Sequence, residues 1–409
     1  MTEAQRDLGV ATLLLAPLAL LPFGAAAELP LLIAAVLGVI ALLRGRLSVD
    51  SGWRLATGLF AAYWIPELVS AVDSVAPRKS WTEVAADLRF LPWLWFALHA
   101  LNRERRVRYA LLGAAALLAF WCADALLQAA TGWSLGGANP GDRLSGIFGD
   151  DNLKLGAVIA ALAPFGLLLV WRRYGALGAV LAFVIVLTVV LMAGARAAWI
   201  GLGVGVALVA WRQLGRRRGA LALGLALLVT LLAGVVAHTL SPRFAERIAR
   251  TAAMFDGSSE ELDHALAGRL PIWRVALDMS AAHPINGVGV RAFRYAYPEF
   301  AAPDDRWVDA ERREGAAHAH QLILELSSET GGIGLLCWLL GAGLALRAWR
   351  HASLPARAQA APPAYALIVM LFPINTHYAV YSSFWSLLLF WMLALWVAAL
   401  HARVDDPVR

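Results

Sequence analysis

The longest stretch without Asp, Glu, Lys or Arg runs from Ala358 to Ala402. A membrane span needs about 20 apolar residues, so this stretch can hold two spans, with a break near Pro373, Asn375 and His377. Of the 409 residues, 60% are hydrophobic and only 16% are charged. Soluble domains average roughly 45–50% apolar and about 25% charged residues. The sequence therefore predicts a polytopic membrane protein and excludes soluble globular and disordered chains.

Apolar segments of span length recur along the chain and predict an all-α, polytopic integral membrane protein with twelve transmembrane helices. The first apolar run is interpreted as a retained span, because no convincing cleavage site precedes a soluble domain. Some of the spans are short and would have to tilt or lie in locally thin lipid. The spans are expected at about 8–24, 29–43, 55–72, 88–101, 108–129, 154–171, 175–193, 197–211, 219–240, 319–346, 360–377 and 383–401.

Arginine clusters follow every even-numbered predicted span, whereas the exits of the odd-numbered spans carry few basic residues. Cytoplasmic loops are enriched in Lys and Arg, so this pattern places both termini in the cytoplasm. It divides the chain into residues 1–240 with spans 1–9, a large loop 241–318 on the opposite side, and residues 319–409 with spans 10–12 and a cytoplasmic tail.

Two shorter segments outside the predicted spans have their own expected structures. Within the large loop, Leu270–Ala282 is amphipathic and predicts a helix on the membrane surface or over a cavity. Pro284 and the glycines that follow it end this helix. The proline-containing segment Leu354–Pro363 is expected to be a cytoplasmic connector.

Two arginines on the non-cytoplasmic side are candidate ligands for phosphate. Arg196 lies between two strongly apolar spans, and Arg269 begins the amphipathic segment. A guanidinium group binds phosphate with a planar fork of donors, and a helix N-terminus attracts anions. The alternatives stay open: Arg196 can be an interfacial arginine that snorkels, and Arg269 an ordinary solvated loop residue.

Two histidines, His318 and His320, lie where the large loop returns to the membrane. A neutral imidazole can remove a proton from a sugar hydroxyl, although a helix-capping or interface role is equally compatible with this position. A metal site is disfavoured, because residues two apart on a helix point in different directions. Glu325 and Glu329 follow and either orient polar groups or flank the interface.

Other chemistry is not indicated by the sequence. The polar segment Arg143–Asn152 contains Asp150 and Asp151, but a solvated turn is favoured over an acid–base pair. Cys122 and Cys337 lie in apolar stretches, so no disulfide or zinc site is expected. The sequence lacks nucleotide-binding fingerprints and metalloprotease motifs, and its basic residues form no tract typical of nucleic-acid binding. We expect no cofactor and no nucleic-acid partner.

Several of these segments together resemble the superfamily of bacterial O-antigen ligases and O-antigen polymerases. In this register His320 takes the position of the family's histidine, and Gln321 stands where the family usually has Asn. Two of the segments, Phe372–His377 and Ser382–Trp385, resemble the ligase branch in particular. The segments that carry the resemblance are Arg143–Asn152, Ala195–Trp199, Gly268–Trp273 with Pro284–Gly289, His318–Leu324 with Glu329–Gly334, and Phe372–His377 with Ser382–Trp385.

The resemblance implies a glycosyltransferase at the periplasmic face of the bacterial inner membrane, acting without metal or nucleotide and with inversion at the anomeric carbon. The implied donor is a polysaccharide on undecaprenyl diphosphate, and the implied acceptor is the lipid A–core oligosaccharide. Under this hypothesis Arg196 and Arg269 hold the diphosphate, and His320 is the general base. The remaining residues expected in substrate binding are Arg143, His318, Gln321, Arg291 and His377.

Three alternatives remain beside the ligase. A polymerase of the same superfamily would join repeat units on the lipid carrier, and a protein O-glycosyltransferase would use a protein acceptor. A transporter of lipid-linked sugars is less favoured, because the chain has few deep charges and no evident two-half symmetry. The sequence leaves the oligomeric state open, and a monomer is compatible with it.

Overall fold

The computed structural model describes residues 2–47, 49–138, 143–149, 152–240, 266, 268–309 and 311–403. Most of these residues are α-helical, as the sequence predicted. Short 3₁₀ helices at Leu21–Ala27 and Gly146–Phe148 and a two-residue hairpin, Trp133–Ser134 paired with Gly137–Ala138, complete the described elements. The helices are α1 Glu3–Ala19, α2 Glu28–Leu43, α3 Ser51–Ser70, α4 Pro77–Asp87, α5 Phe90–Ala100, α6 Glu104–Thr131, α7 Lys154–Met192, α8 Arg196–Leu240, α9 Leu270–Ala282, α10 Phe293–Phe300, α11 Leu322–His351, α12 Leu354–Met370 and α13 Ser383–His401.

Side chains at the helix starts explain where several helices begin. Thr2 and Gln5 form a capping box at α1. The Asp50 carboxylate accepts a hydrogen bond from the Trp53 amide at the start of α3, at 2.9 Å. Ser353 caps α12 in the same way. Each cap satisfies amide groups that have no partner within the helix.

Six of the described helical segments are long and apolar enough to cross a membrane. α13 coincides with the predicted span 383–401 and is the most buried of the six, whereas α8 is the least buried. The count of twelve spans, the orientation of the termini and the three-part division of the chain stay predictions. The six segments are Leu21–Leu43, Glu104–Thr131, Lys154–Met192, Arg196–Val236, Leu322–His351 and Ser383–His401.

Single glycines interrupt the longest helices. Gly175 in α7 and Gly215 in α8 have left-handed φ angles of 69° and 71°. A Cβ atom added at Gly178 would lie 3.1 Å from Cγ1 of Val170, although eight residues of straight helix span about 12 Å. The chain therefore doubles back at Gly175. Gly175 is the first residue of the predicted span 175–193, and Gly215 lies between the predicted spans 197–211 and 219–240.

The core is built around α13, which packs against α12, α5, α3 and α6. Its aromatic side chains interlock with neighbouring helices; Phe390, for example, stacks on Phe90 with ring centroids 4.5 Å apart. Such buried aromatic pairs contribute about 0.5–1.5 kcal/mol beyond their buried area. Because α13 is held on so many sides, the loop that precedes it has a firmly fixed end.

Two predictions for shorter segments had different outcomes. The amphipathic helix predicted over Leu270–Ala282 is confirmed as α9, with the same bounds, while its position relative to the membrane stays a prediction. The segment Leu354–Pro363, expected to be a cytoplasmic connector, is helical and forms the first part of α12, while its side of the membrane stays a prediction. Pro355 lies in the first turn, where a proline needs no amide partner, so the helix begins before the prolines that suggested a loop.

Candidate functional site

The site is organised by the loop of residues 371–382, which joins α12 to α13 and is called here the central loop. Its shape is fixed from inside by Asn375, which is 5% exposed. The Asn375 side-chain amide donates to the carbonyl of Met370 at 3.2 Å, and its side-chain oxygen accepts from the His377 amide at 3.0 Å. The predicted break near Pro373, Asn375 and His377 therefore exists, and Asn375 gives it a defined conformation.

Three segments from distant parts of the sequence are hydrogen-bonded to the central loop. They contribute the starts of α7, α9 and α11, so the N-terminal ends of three helices converge on one loop. The bonds are Arg269 Nη1 to Thr376 Oγ1 at 2.9 Å, Gln321 Nε2 to the Pro373 carbonyl at 2.9 Å, and Tyr378 Oη to the Ala157 carbonyl at 2.8 Å.

The two arginines expected to bind phosphate lie close enough for the charge of one to act on the other. Arg196 is half-buried and is the first residue of α8, after a turn that Trp199 secures by donating from Nε1 to the Val190 carbonyl at 3.1 Å. Arg269 is the N-cap residue of α9. Burial and the nearby positive charge of Arg196 lower the pKa of the Arg269 guanidinium. Two like charges so placed favour an anion between them.

The histidines lie before α11 rather than on it, so the expectation that they point apart was wrong. The ring centroids of His318 and His320 are 3.8 Å apart, and the His320 amide donates to Nδ1 of His318 at 3.1 Å. His320 has φ +51°, a left-handed conformation that is uncommon for residues other than glycine. Gln321 stabilises this turn, because its side-chain oxygen accepts from the Leu324 amide at 2.6 Å while its amide holds the central loop.

His320 is suited to accept a proton. Burial lowers its pKa to about 4, and the charges of Arg269 and His377 act in the same direction, against a hydrogen bond with the Thr376 backbone. Its Nδ1 is buried and has no hydrogen-bond partner within the described part of the chain. The lowered pKa leaves the imidazole neutral near pH 7 and able to accept a proton.

The neighbouring histidines lie in the same electropositive surroundings. Burial, followed by the charges of His320 and Arg291, lowers the pKa of His318 well below its usual value. Burial, then Arg269, Lys154 and Arg143, lowers the pKa of His377 to about 4. The structure thus brings His318, His320 and His377 together with basic groups from several segments of the chain.

Arg291 and two glutamates of α11, Glu325 and Glu329, adjoin the histidines. The Arg291 amide donates to Oε2 of Glu329 at 2.6 Å, with Arg291 in a left-handed conformation at φ 57°. Oε2 of Glu325 lies 3.8 Å from Nδ1 of His318. Both glutamates are fully buried, so they orient polar groups of the site instead of flanking the interface.

Arg143 is exposed and contributes its charge at the edge of the site. The residues after it are fixed by Gln128, whose side-chain oxygen accepts from the amides of Ser145 at 3.0 Å and Gly146 at 2.8 Å. The Asp150–Asp151 pair considered as an acid–base pair lies outside the described residues. Among those that are described, no group of three His, Cys, Asp or Glu side chains could hold a metal ion.

Sequence reasoning missed three residues of this region: Lys154, Phe384 and Thr376. Lys154 starts α7, and its Nζ lies 4.2 Å from the centroid of the Phe384 ring. Lys154 could have been singled out from the sequence, because lysine is rare in this chain and Lys79 is the only other one. Thr376 and Phe384 lie in segments that carry the family resemblance, but only their contacts with Arg269 and Lys154 show what each contributes.

Comparison with known proteins agrees with the motifs. Residues 181–339 match the family model described as O-antigen ligase. This match supports membership of the chain in the O-antigen ligase/polymerase superfamily and confirms the resemblance drawn from the sequence. Family members are O-antigen ligases or polymerases, so an enzyme of this class is supported. No curated protein matches the chain. The matched segment contains Arg196, Arg269 and both stacked histidines, whereas Lys154 and the central loop lie outside it.

Proposed function

We propose that this protein transfers O-antigen polysaccharide from undecaprenyl diphosphate to a hydroxyl of the lipid A–core oligosaccharide at the periplasmic face of the inner membrane. The observation that carries the proposal is the convergence of Arg196 and Arg269, 73 positions apart by their numbers, beside the neutral imidazole of His320. The family match supports the general class of reaction, and the ligase reaction and its substrates are our proposal.

In this mechanism Arg196 and Arg269 bind the diphosphate of the donor. Each guanidinium offers paired donors that fit phosphate oxygens, and the start of α9 adds the positive end of a helix. As the bond to the sugar breaks, negative charge grows on the diphosphate, and the two fixed cations stabilise it. A single preorganised donor to such a charge is worth about 2.7–4 kcal/mol in other enzymes.

His320 receives the proton of the acceptor. The acceptor hydroxyl oxygen attacks the anomeric carbon from the face opposite the diphosphate, and the bond between that carbon and the diphosphate oxygen breaks. The bonding electrons leave with undecaprenyl diphosphate, and the hydroxyl proton passes to the neutral imidazole of His320. The configuration of the anomeric carbon is inverted. The bound diphosphate offsets the charge of Arg269 and so raises the pKa of His320 in the complex.

The direct test is transfer by the purified full-length protein in detergent or liposomes, with carrier-linked polysaccharide, lipid A–core and no nucleotide. Wild type is expected to produce lipid A–core carrying the polysaccharide, and Arg269→Ala to lose this product. Arg294→Ala is the matched control, because Arg294 lies on α10 and pairs with Glu314. Undiminished transfer by Arg269→Ala would overturn the proposal.

The same assay separates the ligase from the polymerase. Offered carrier-linked repeat units without lipid A–core, a ligase makes no longer chains, whereas a polymerase extends the repeat units on the carrier. Extension on the carrier, with no transfer to lipid A–core when both are present, would overturn the ligase assignment and leave the family assignment intact.

A further inference from the structure

Lys154 is a cation whose described contacts do not neutralise it. Its Nζ lies 4.2 Å from the centroid of the Phe384 ring, a cation–π contact. Within the described ranges this ammonium group makes no hydrogen bond and no ion pair, and the side chains of Lys154 and Phe384 are only partly buried. By contrast, the other lysine, Lys79, is paired with Glu83 at 2.9 Å. An ammonium group over an aromatic face keeps its donors available for an anion.

Lys154 is held at a fixed place relative to the central loop. Tyr378 of that loop donates to the carbonyl of Ala157, three residues further along α7. Phe384 packs edge-on against Trp385, with centroids 4.7 Å apart, and Trp385 packs edge-on against His377 at 5.8 Å. The series of rings from Phe384 through Trp385 to His377 therefore connects the ammonium group with the site already described.

This cation lies beside His377 rather than beside the proposed base. The charge of Lys154 acts on His377, whereas Arg269 acts on His320, His318 and His377. Arg269 is hydrogen-bonded directly to Thr376 of the central loop, whereas Lys154 is connected to His377 through the rings of Phe384 and Trp385. Arginine forks suit a diphosphate, and a lysine is a compact point charge that suits a single anionic group.

We propose that Lys154 and the ring of Phe384 form an acceptor subsite, in which the ammonium group binds an anionic substituent, a phosphate or carboxylate, and the ring contacts the apolar face of the sugar. The subsite rests on the proposed function, because it takes the acceptor of that same transfer. It makes Lys154 a specificity-determining residue that selects charged over uncharged acceptor sugars.

The test is steady-state transfer by the purified full-length protein with two acceptors, a phosphorylated lipid A–core and the same core with its sugar phosphates removed. Lys154→Gln is expected to raise the KM for the phosphorylated acceptor about tenfold, the loss of one charged hydrogen bond. The KM for the dephosphorylated acceptor and for the donor should equal those of wild type. Lys154→Arg should restore most of the preference, and Lys79→Gln serves as the matched lysine control.

Three results with the Lys154→Gln variant would each overturn the proposed subsite. A higher donor KM in Lys154→Gln would place the residue at the diphosphate, and an equal loss with both acceptors would show a structural contribution without charge selection. Unchanged constants with every substrate would show that Lys154 binds no substrate. Absence of transfer to lipid A–core by wild type, with both lysine variants folded, would instead be a failure of the proposed function.

Discussion

Two parts of the site are held in place by different kinds of contact. The charges of both parts act on His377. The proposed diphosphate region, Arg196, Arg269 and His320, is tied to the central loop by hydrogen bonds such as that from Arg269 to Thr376. The proposed acceptor region, Lys154 and Phe384, is connected to it by edge-on aromatic contacts of the side chains and by the hydrogen bond from Tyr378 to the backbone carbonyl of Ala157. Hydrogen bonds fix direction, which a charge that develops during reaction requires. Ring packing fixes a position, which suffices to bind a charge that is already present.

This difference separates the kinetic constants that each region should affect. Groups that act only on the developing charge or on the transferred proton lower kcat, whereas groups that bind an unchanging part of a substrate raise KM. The variants below are ordered by the size of the expected effect.

Replacement of the proposed base should have the largest effect. His320→Ala is expected to lower kcat about 10²–10⁴-fold, the usual contribution of a positioned general base. His318→Ala should cost less, because its Nδ1 already accepts from the His320 amide. The measurement is single-turnover transfer with saturating substrates. A larger loss in His318→Ala than in His320→Ala would exchange the two assignments.

Loss of one phosphate-binding arginine should come next. Arg269→Ala is expected to lower kcat/KM about 10²–10³-fold, since one preorganised donor group to the leaving charge is removed. Arg269→Lys should retain part of the kcat/KM that Arg269→Ala loses, because lysine keeps the positive charge but lacks the planar fork of donors. Comparison with Arg294→Ala, measured by initial rates, controls for loss of a loop arginine. Equal rates for Arg269→Ala and Arg294→Ala would contradict the assignment.

The pH dependence should distinguish free enzyme from complex. In free enzyme the pKa of His320 is about 4, so kcat/KM for the donor should stay level from pH 7 to about 5. Bound diphosphate raises this pKa. As the pH is lowered, kcat should therefore begin to fall at a higher pH than kcat/KM does, and below the pKa of His320 in the complex it should fall about tenfold per pH unit. An acid limb of kcat/KM near the ordinary histidine pKa of about 6.5 would contradict the buried environment of His320.

The smallest effect is expected from the contact between Arg269 and the central loop. Thr376→Val removes the hydroxyl that accepts from Arg269 at 2.9 Å and keeps the side-chain shape. A hydrogen bond to a charged group contributes about 1.5–3 kcal/mol, of which rearrangement of Arg269 recovers part, so kcat/KM should fall about five- to tenfold. Thr376→Ser should retain activity. Equal losses in both variants would show that the hydroxyl is not the relevant group.

Much of the helical architecture was predictable, because apolar periodicity and length reflect local chemistry. The bounds of α9 and α13 agree with those predicted, whereas the helical start of α12 over Leu354–Pro363 was not predicted, since a proline in the first helical turn is compatible with a helix. The stacked arrangement of His318 and His320 was missed for a similar local reason: α11 begins at Leu322, after a turn that Gln321 stabilises.

The composition of the site was partly predictable and its connections were not. Arg196, Arg269 and His320 stand in recognisable motifs, and residues 181–339 match the family model. Thr376 and Phe384 act through contacts with residues 107 and 230 positions away by their numbers. Such pairs are set by how helix ends converge in three dimensions, and no local pattern in one sequence records them.

The central claim is that Arg196 and Arg269 bind one diphosphate, and a double-mutant cycle on ligand binding tests it without relying on catalysis. The affinity of the purified protein for undecaprenyl diphosphate would be measured for wild type, Arg196→Ala, Arg269→Ala and the double variant. We expect both single variants to bind more weakly, and the two losses to be non-additive by about 0.5–3 kcal/mol, as for residues that share a partner. Wild-type affinity in either single variant, or strictly additive losses, would contradict the account.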